Sequence, residues 1–488
     1  MAIRRYKATA DNTIANGYQE NLSTRATGSN MGQADVSEVY SIYGRASTSS
    51  AELSRILTKF DVDTISGDRT AGVIPANGSV SFYLRLYNAE TSKTVPKNFD
   101  LVISAISRSW SEGDGLDLEN YKDIGESNWI SASSTTAWTS EGGDYHASPT
   151  FKQNFETGLE DLEIDVTSLV EEWIAGTKTN YGFGIQLTSS QEASSSTNPL
   201  GVTSSYYTKR FFARGTQYFF KKPVIEARWN SSTQDDRGDF YYSSSLAPTA
   251  DNLNTLYLYN FVRGQLTNIP VINTGSIYAS LYSGSSAPTG NKLVLHDGNT
   301  NVTGGHVSTG IYSCSVAITS AATPLKTLFD VWHNDSGTQY FTGTVKPTVL
   351  RALGASTGNN RRIAKIKNLR AKYFSEEEAR FNVFVRNKNW SPTIYTVASS
   401  VVENTIIPSA SYRVYRVLDG LNVIPHGTGS DLQTILSYDV SGNYFNLDMS
   451  LLEPGYEYGV KLAFYDSQRQ SWIEQDQKFL FRVEDYEY

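Results

Sequence analysis

Apolar and polar residues alternate along most of this chain. Val80-Ser-Phe-Tyr-Leu-Arg-Leu-Tyr and Phe99-Asp-Leu-Val-Ile-Ser-Ala-Ile have the two-residue period of strands with one buried and one wet face. The same period returns in Leu256-Tyr-Leu-Tyr, Ile277-Tyr-Ala-Ser-Leu-Tyr, Arg380-Phe-Asn-Val-Phe-Val-Arg and Gly459-Val-Lys-Leu-Ala-Phe-Tyr. Leu452-Glu-Pro-Gly-Tyr predicts a tight turn in which Pro454 fixes φ.

One segment breaks the rhythm. From Asp165 to Gly176, the apolar residues Leu169, Val170 and Trp173 fall on one face of a two-turn helix. Asp165 or Thr167 can cap its start, and Gly176 suits the left-handed residue beyond its end. Trp173 is expected to plug one end of a sandwich. Glu171 and Glu172 are adjacent in sequence, so they diverge on a helix, and both are expected on a solvated face.

Turn-rich breaks divide the pattern into blocks. Ser231-Ser-Thr-Gln-Asp-Asp-Arg-Gly-Asp closes the first, and the glycine-rich Leu353-Gly-Ala-Ser-Thr-Gly-Asn-Asn precedes the last. The expected organisation is a jelly-roll domain over 1–230 and a β-sandwich over 231–347. A basic linker or strand over 348–372 and a C-terminal sandwich over 373–488 complete it. The fold class is all-β, with the two later sandwiches immunoglobulin-like in size.

Composition supports this reading. The chain has 488 residues, 39% hydrophobic and 19% charged, too many for one ordinary core. Its 31 tyrosines suit half-buried pleated surfaces. The balance of 42 basic and 50 acidic residues, net −8, argues against a chain that binds nucleic acid over its whole surface. The single cysteine, Cys314, excludes an intramolecular disulfide and any site built from several cysteines, and its alternating surroundings predict a small buried hydrophobe. The first residues lack the apolar stretch of a secretory signal, and no run is long enough to span a bilayer, so no membrane anchor is expected.

Several pieces together resemble the DNRLRE family. They are Ala10-Asp-Asn-Thr-Ile, Leu53-Ser-Arg-Ile-Leu-Thr-Lys-Phe-Asp, Ser107-Arg-Ser-Trp-Ser-Glu-Gly, the Asp165 helix with its Tyr181-Gly strand, and Arg210-Phe-Phe-Ala-Arg-Gly through Pro223-Val-Ile-Glu-Ala. This resemblance covers roughly the first 230 residues and implies a carbohydrate-module-like jelly roll. The whole chain also resembles the large virion structural proteins of contractile-tailed cyanophages and related marine phages. The runs that carry this likeness are Asn387-Lys-Asn-Trp-Ser-Pro-Thr-Ile-Tyr and Tyr444-Phe-Asn-Leu-Asp-Met-Ser-Leu-Leu-Glu-Pro-Gly-Tyr. It implies a non-enzymatic particle component, assembled in the host cytoplasm, whose partners are other virion proteins and copies of itself. Without heptads or β-helix repeats, a collar, tail or baseplate position is expected over a fibre shaft.

Candidate chemistry is sparse. Asp114, Asp117 and Glu119 offer oxygen ligands for Ca²⁺, but their spacing fits no EF-hand and a solvated loop is the preferred reading. Arg237-Gly-Asp239 spells an integrin-type tripeptide in what reads as a simple turn. Lys209, Arg210, Arg214, Lys221 and Lys222 interleave with aromatics between Tyr206 and Lys222, a texture shared by nucleic-acid grooves and by strands with one wet face. The strand reading is preferred. Arg351, Arg361, Arg362, Lys365, Lys367, Arg370 and Lys372 form a basic run without acids, open to an acidic subunit, DNA or solvent. The five histidines, His146, His296, His306, His333 and His426, are scattered, and no phosphate loop, metalloprotease motif or nucleophile elbow occurs. No catalytic, cofactor or metal residue is therefore assigned. A host-glycan adhesin is the rival reading, with Trp110, Trp129 and Trp138 as exposed sugar-stacking candidates, although Trp110 matches a turn of the resembled family and is expected to be buried. A glycan-degrading enzyme with paired carboxylates is the more distant one.

Overall fold

The computed structural model describes residues 2–19, 21–44, 50–92, 94–116, 124–243, 248–318, 325–347, 362–388 and 404–486. The chain divides into two compact units. One holds Ala2–Asn230 with Gly429–Gln433, the other Ser231–Thr428 with Thr434–Tyr488.

The first unit contains β1 (Ile3–Ala15), β2 (Val36–Gly44), β3 (Ser50–Phe60), α1 (Val62–Thr70), β4 (Ser81–Leu86) and β5 (Phe99–Ile106). It continues with β6 (Ser131–Ser133), β7 (Thr136–Ala137), β8 (Tyr145–Phe155), β9 (Leu162–Asp165), α2 (Thr167–Ile174), β10 (Phe183–Leu187), β11 (Tyr206–Phe212) and β12 (Val224–Arg228). Its named ladders are antiparallel. Strand β1 serves two sheets: Ile3–Lys7 pair with β12, and after an irregularity at Ala8/Ala10 the rest pairs with β3. A bulge at that point lets one strand turn a sandwich corner. One sheet runs β9-β4-β12-β1 and the other β1-β3-β10-β5-β8, with β2 and β11 extending from β3. Phe60, Phe82, Phe99, Phe155 and Phe183 are fully buried between them.

The predicted helix is α2. Leu169, Val170 and Trp173 face the core, and the Trp173 ring meets Phe183 edge-on at 4.8 Å, closing that end of the sandwich. Gly176 has φ +70°, the left-handed conformation expected just past the helix. The cap differs in detail. Val166 occupies the cap position with no side-chain bond, while the Asp165 carboxylate, one residue earlier, accepts the Thr167 N–H at 2.8 Å. The Thr167 hydroxyl instead accepts the Phe82 N–H, tying helix to strand. Glu171 is also corrected: it is not solvated but accepts both Arg69 guanidinium donors at 2.6 Å from α1, because the two helices pack together. Glu172 diverges from it as expected and pairs with Lys178.

The second unit begins with β13 (Asn254–Tyr259), β14 (Phe261–Val262), β15 (Gln265–Leu266), β16 (Ile277–Ser283), β17 (Val302–Ser308), β18 (Ile311–Val316), β19 (Leu328–His333) and β20 (Gln339–Val345). Strand β17 repeats the device of β1, pairing first with β16 and then with β18. It thereby links β13-β18 to β16-β19-β20 around a core that includes Tyr312, Cys314 and Trp332. There follow β21 (Arg362–Ile366), β22 (Lys372–Phe374), β23 (Glu378–Asn387), β24 (Ala410–Arg416), β25 (Asn422–Ile424) and β26 (Ser437–Asp439). Strands β27 (Gly442–Asp448), β28 (Glu457–Asp466), β29 (Ser471–Glu474) and β30 (Phe479–Glu484) complete the chain. They form sheets β21-β23-β27-β26 and β22-β30-β28-β24-β25, and β22 pairs with β30 in parallel. Between them, Phe445 stacks on Tyr412 at 4.2 Å and on Phe381 at 5.0 Å. Gly455, with φ +89°, follows Pro454 in the predicted turn before β28. The protein is all-β, and its sheets pack as sandwiches.

Candidate functional site

Strand β3 buries both faces: Ile56 points into the main core and Leu57 into a second cluster on the outer face of the sheet. The cover is the long connection from β5 to β8, which brings Trp110, Trp129 and Trp138 onto Leu57, Ile14 and Ile106. All three tryptophans are therefore buried: Trp110 as expected, Trp129 and Trp138 against their reading as exposed sugar platforms. Two of the indole N–H groups are committed internally, Trp110 to the Tyr181 carbonyl at 2.7 Å and Trp138 to that of Asn128 at 2.8 Å. The Trp129 ring lies 5.2 Å under the Arg55 guanidinium, which donates to the Gly142 carbonyl and to Glu192. Only glycine serves at 142: φ is +85°, and a Cβ would lie 2.8 Å from Arg55 and 2.9 Å from Trp129.

The basic-aromatic stretch from Tyr206 to Lys222 splits in two. Lys209 is 2% exposed and donates to Asn88 Oδ1 and to the Gly158 and Glu160 carbonyls at 2.7–3.0 Å. Burial pulls its pKa down to about 8. Arg210 pairs with Glu38, and Arg214 with Glu112. These three cations hold the fold together and do not line a groove. Lys221 and Lys222 do not join them.

The Arg237-Gly-Asp tripeptide lies in a 3₁₀ turn, Asp236–Gly238, capped by Asp235. Arg237 does not project. It donates to both Asp330 oxygens at 2.6 and 2.8 Å, and Asp330, 0% exposed, also accepts the Trp332 indole N–H at 2.7 Å. Burial alone would lower the Arg237 pKa, but hydrogen bonds to Asp330 and its charge raise it. Asp236 accepts the Thr255 N–H and the Tyr438 hydroxyl, both at 2.7 Å. Just before the turn, the Asp235 N–H donates to the Tyr438 carbonyl and the Tyr438 N–H to that of Thr233. One short segment thus extends the β26 edge and locks onto β13 and β19.

Of the basic run, Arg351 and Arg361 lie outside the described residues, as do Asp117 and Glu119 of the Ca²⁺ candidate; Asp114 is exposed. Arg370 pairs with Glu377 and Lys372 with Glu484, while Arg362 lies over Phe464 and Lys367 over Phe384. Cys314 is buried, and that burial pushes its thiol well above the ordinary range, so it is inert as a nucleophile. Among the described residues, no group of three or more His, Cys, Asp or Glu side chains could hold a metal ion.

Sequence reasoning missed one constellation. Ser411 Oγ lies 3.0 Å from His426 Nδ1, and His426 Nε2 faces Glu474 at 3.5 Å. These residue types can relay a proton from a serine nucleophile. Here Ser411 is 0% exposed, its hydroxyl is shared with Thr434 at 2.8 Å, and Thr434 Oγ1 accepts the Gly427 N–H. A substrate carbonyl has no path to that oxygen, so the chain of bonds pins the segment after β25 against β24. Glu474 is held down to about 2, first by the Arg413 hydrogen bond and then by Lys461. Burial lowers the His426 pKa. Residues this far apart in sequence leave no local signature.

These features define a multi-sandwich β protein whose charged residues largely serve internal networks. No family model and no curated protein matches the chain. Solved structures with some similarity include the N-terminal Ig1-2 module of the Drosophila receptor protein tyrosine phosphatase DLAR, at 7% identity and TM-score 0.15, covering 48% of this chain and 91% of that one. DIP-gamma IG1+IG2 is similar at 11% identity and TM-score 0.13, covering 48% and 91%. The chicken CNTN1 FN1-FN3 domains show 11% identity and TM-score 0.15, covering 57% and 82%. At such TM-scores the likeness carries no argument, and the sandwich architecture rests on the sheets themselves. Among the described residues no helix is long and apolar enough to cross a membrane.

Proposed function

We propose that this chain is a non-enzymatic structural component of a phage particle, a collar, tail or baseplate accessory that acts through contacts with neighbouring virion proteins and with its own copies. The observation that carries this reading is the fastening at 232–242. Backbone pairing to β26, the Asp236–Tyr438 bond and the buried Arg237–Asp330 pair join successive sandwiches through a short, fully bonded segment. Such a join favours a fixed spacer over a hinged catalyst. Exposed apolar side chains at the β14–β15 hairpin, Phe261 and Val262, add contact area of the kind that assembly uses. The sequence resemblance to cyanophage virion proteins points the same way.

Cross-linking mass spectrometry on purified particles tests the proposal. The expected result is that the chain is present, with links to neck, sheath or baseplate subunits and between copies. Absence from particles would overturn it, and glycan-array binding by the purified chain would then favour the adhesin.

A further inference from the structure

Of the five cations between Tyr206 and Lys222, three are consumed internally and two are not. Lys221 and Lys222 leave the 3₁₀ turn Phe219–Lys221 beside β1, where the Ala8 N–H donates to the Pro223 carbonyl at 3.0 Å. That pairing brings in a third ammonium, exposed Lys7. Burial and the like charge of Lys222 both lower the Lys7 pKa, so the two cations share one neighbourhood. Lys7 Nζ lies 4.5 Å over the Phe219 ring and Lys221 Nζ lies 5.3 Å over Tyr87. No carboxylate among the described residues lies within 4 Å of any of the three ammonium groups. In a chain with net charge −8, three lysines around one strand end without a paired acid are unusual.

We propose that Lys7, Lys221 and Lys222, framed by Tyr87 and Phe219, form a docking surface for a carboxylate-rich protein segment. This deepens the assembly reading and rests on it for the partner's origin in a neighbouring subunit. Charge complementarity selects the acid. Protein is selected over single-stranded nucleic acid because Lys7 and Lys221 already cover faces of the two framing rings, which bases would otherwise use for stacking. Carboxylates need no free ring face and gain from ammonium groups held in place by cation–π contact.

The test is fluorescence anisotropy with the full chain and a labelled glutamate-rich decapeptide, at low and physiological ionic strength. The triple variant Lys7→Ala, Lys221→Ala, Lys222→Ala should bind on the order of tenfold more weakly than wild type, as expected for three partly exposed charge pairs. The control Lys365→Ala, Lys367→Ala should change binding little. Should the triple variant melt early, the single Lys7→Gln variant should still lose about threefold. Equal affinity of triple variant and wild type would overturn the proposal. So would an equal loss in the control, or tighter binding of a labelled oligothymidylate than of the peptide. Because the titration uses purified protein, it stands apart from the virion reading, which fails separately if particles lack the chain.

Discussion

Two buried carboxylates, one in each unit, are neutralised in opposite ways. Glu226 on β12 accepts from Arg5 at 2.6 Å, Arg85 at 2.9 Å and Arg228 at 2.7 Å, and Glu163 shares Arg85 and Arg228. Burial alone would raise its pKa, but the three arginines outweigh it and hold the carboxyl far below the ordinary range. Asp330 on β19 has one arginine, Arg237, and one indole N–H. The first arrangement spreads one negative charge over a ladder of cations across neighbouring strands. The second concentrates it at a single contact between a turn and a sheet. Redundancy should make Glu226 tolerant of a lost partner, whereas Asp330 should not tolerate losing Arg237.

The largest expected effect follows directly. Arg237→Met leaves Asp330 buried and unpaired and should destabilise the second unit by about 3–5 kcal/mol, measured by urea unfolding. Adding Asp330→Asn removes the orphan charge and should restore part of that loss. If the double variant is no better than the single, the damage lies in packing rather than charge. Gly343→Ala comes next. Its Cβ would lie 2.1 Å from Arg237 Nη1 and 2.5 Å from Asp330 Oδ1, so the pair must part, at a cost of about 1–3 kcal/mol. Arg85→Met should cost only about 1 kcal/mol, because Arg5 and Arg228 remain on Glu226. A cost equal to that of Arg237→Met would end the redundancy argument.

What the sequence disclosed and what it hid divide along the same line. The strands at 81–86 and 99–106, helix α2 and the left-handed Gly176 follow from local period and residue type. So does the burial of Cys314 within β18. Trp129 and Trp138 were misplaced because an aromatic residue in an aperiodic connection gives no sign that the connection folds over a sheet. Glu171 was misplaced because its partner Arg69 is 102 residues away. Arg237 and Asp330, 93 residues apart, likewise meet only through the sandwich. In the basic-aromatic stretch, alternation could not show that Lys209 points inward while Lys222 remains available. The fold is written in short-range pattern, whereas the site chemistry depends on pairings across sheets.

Asp11 gives a third case, whose effect is read from pH dependence rather than from a lost partner. This carboxylate on β1 is 2% exposed and accepts the Arg214 backbone N–H at 2.5 Å, but the Arg214 guanidinium turns to Glu112. Burial, reinforced by the negative charge of Glu112, raises its pKa to about 7, the reverse of Glu226. The sign follows from the proton count. Between the ordinary value of 3.8 and about 7, the folded chain keeps a proton that the unfolded chain has released. The contribution of Asp11 is therefore complete below 3.8 and is lost as pH rises to about 7, with a slope of at most about 1.4 kcal/mol per pH unit. Asn retains an acceptor for the Arg214 N–H and cannot ionise. The melting temperature of Asp11→Asn, relative to wild type, should therefore rise from about pH 4 to about pH 7 and level off above it. A flat difference would mean that Asp11 ionises in the fold as easily as in the unfolded chain. A falling difference would mean that Arg214 treats it as a true ion-pair partner, making Asp11 a second Glu226.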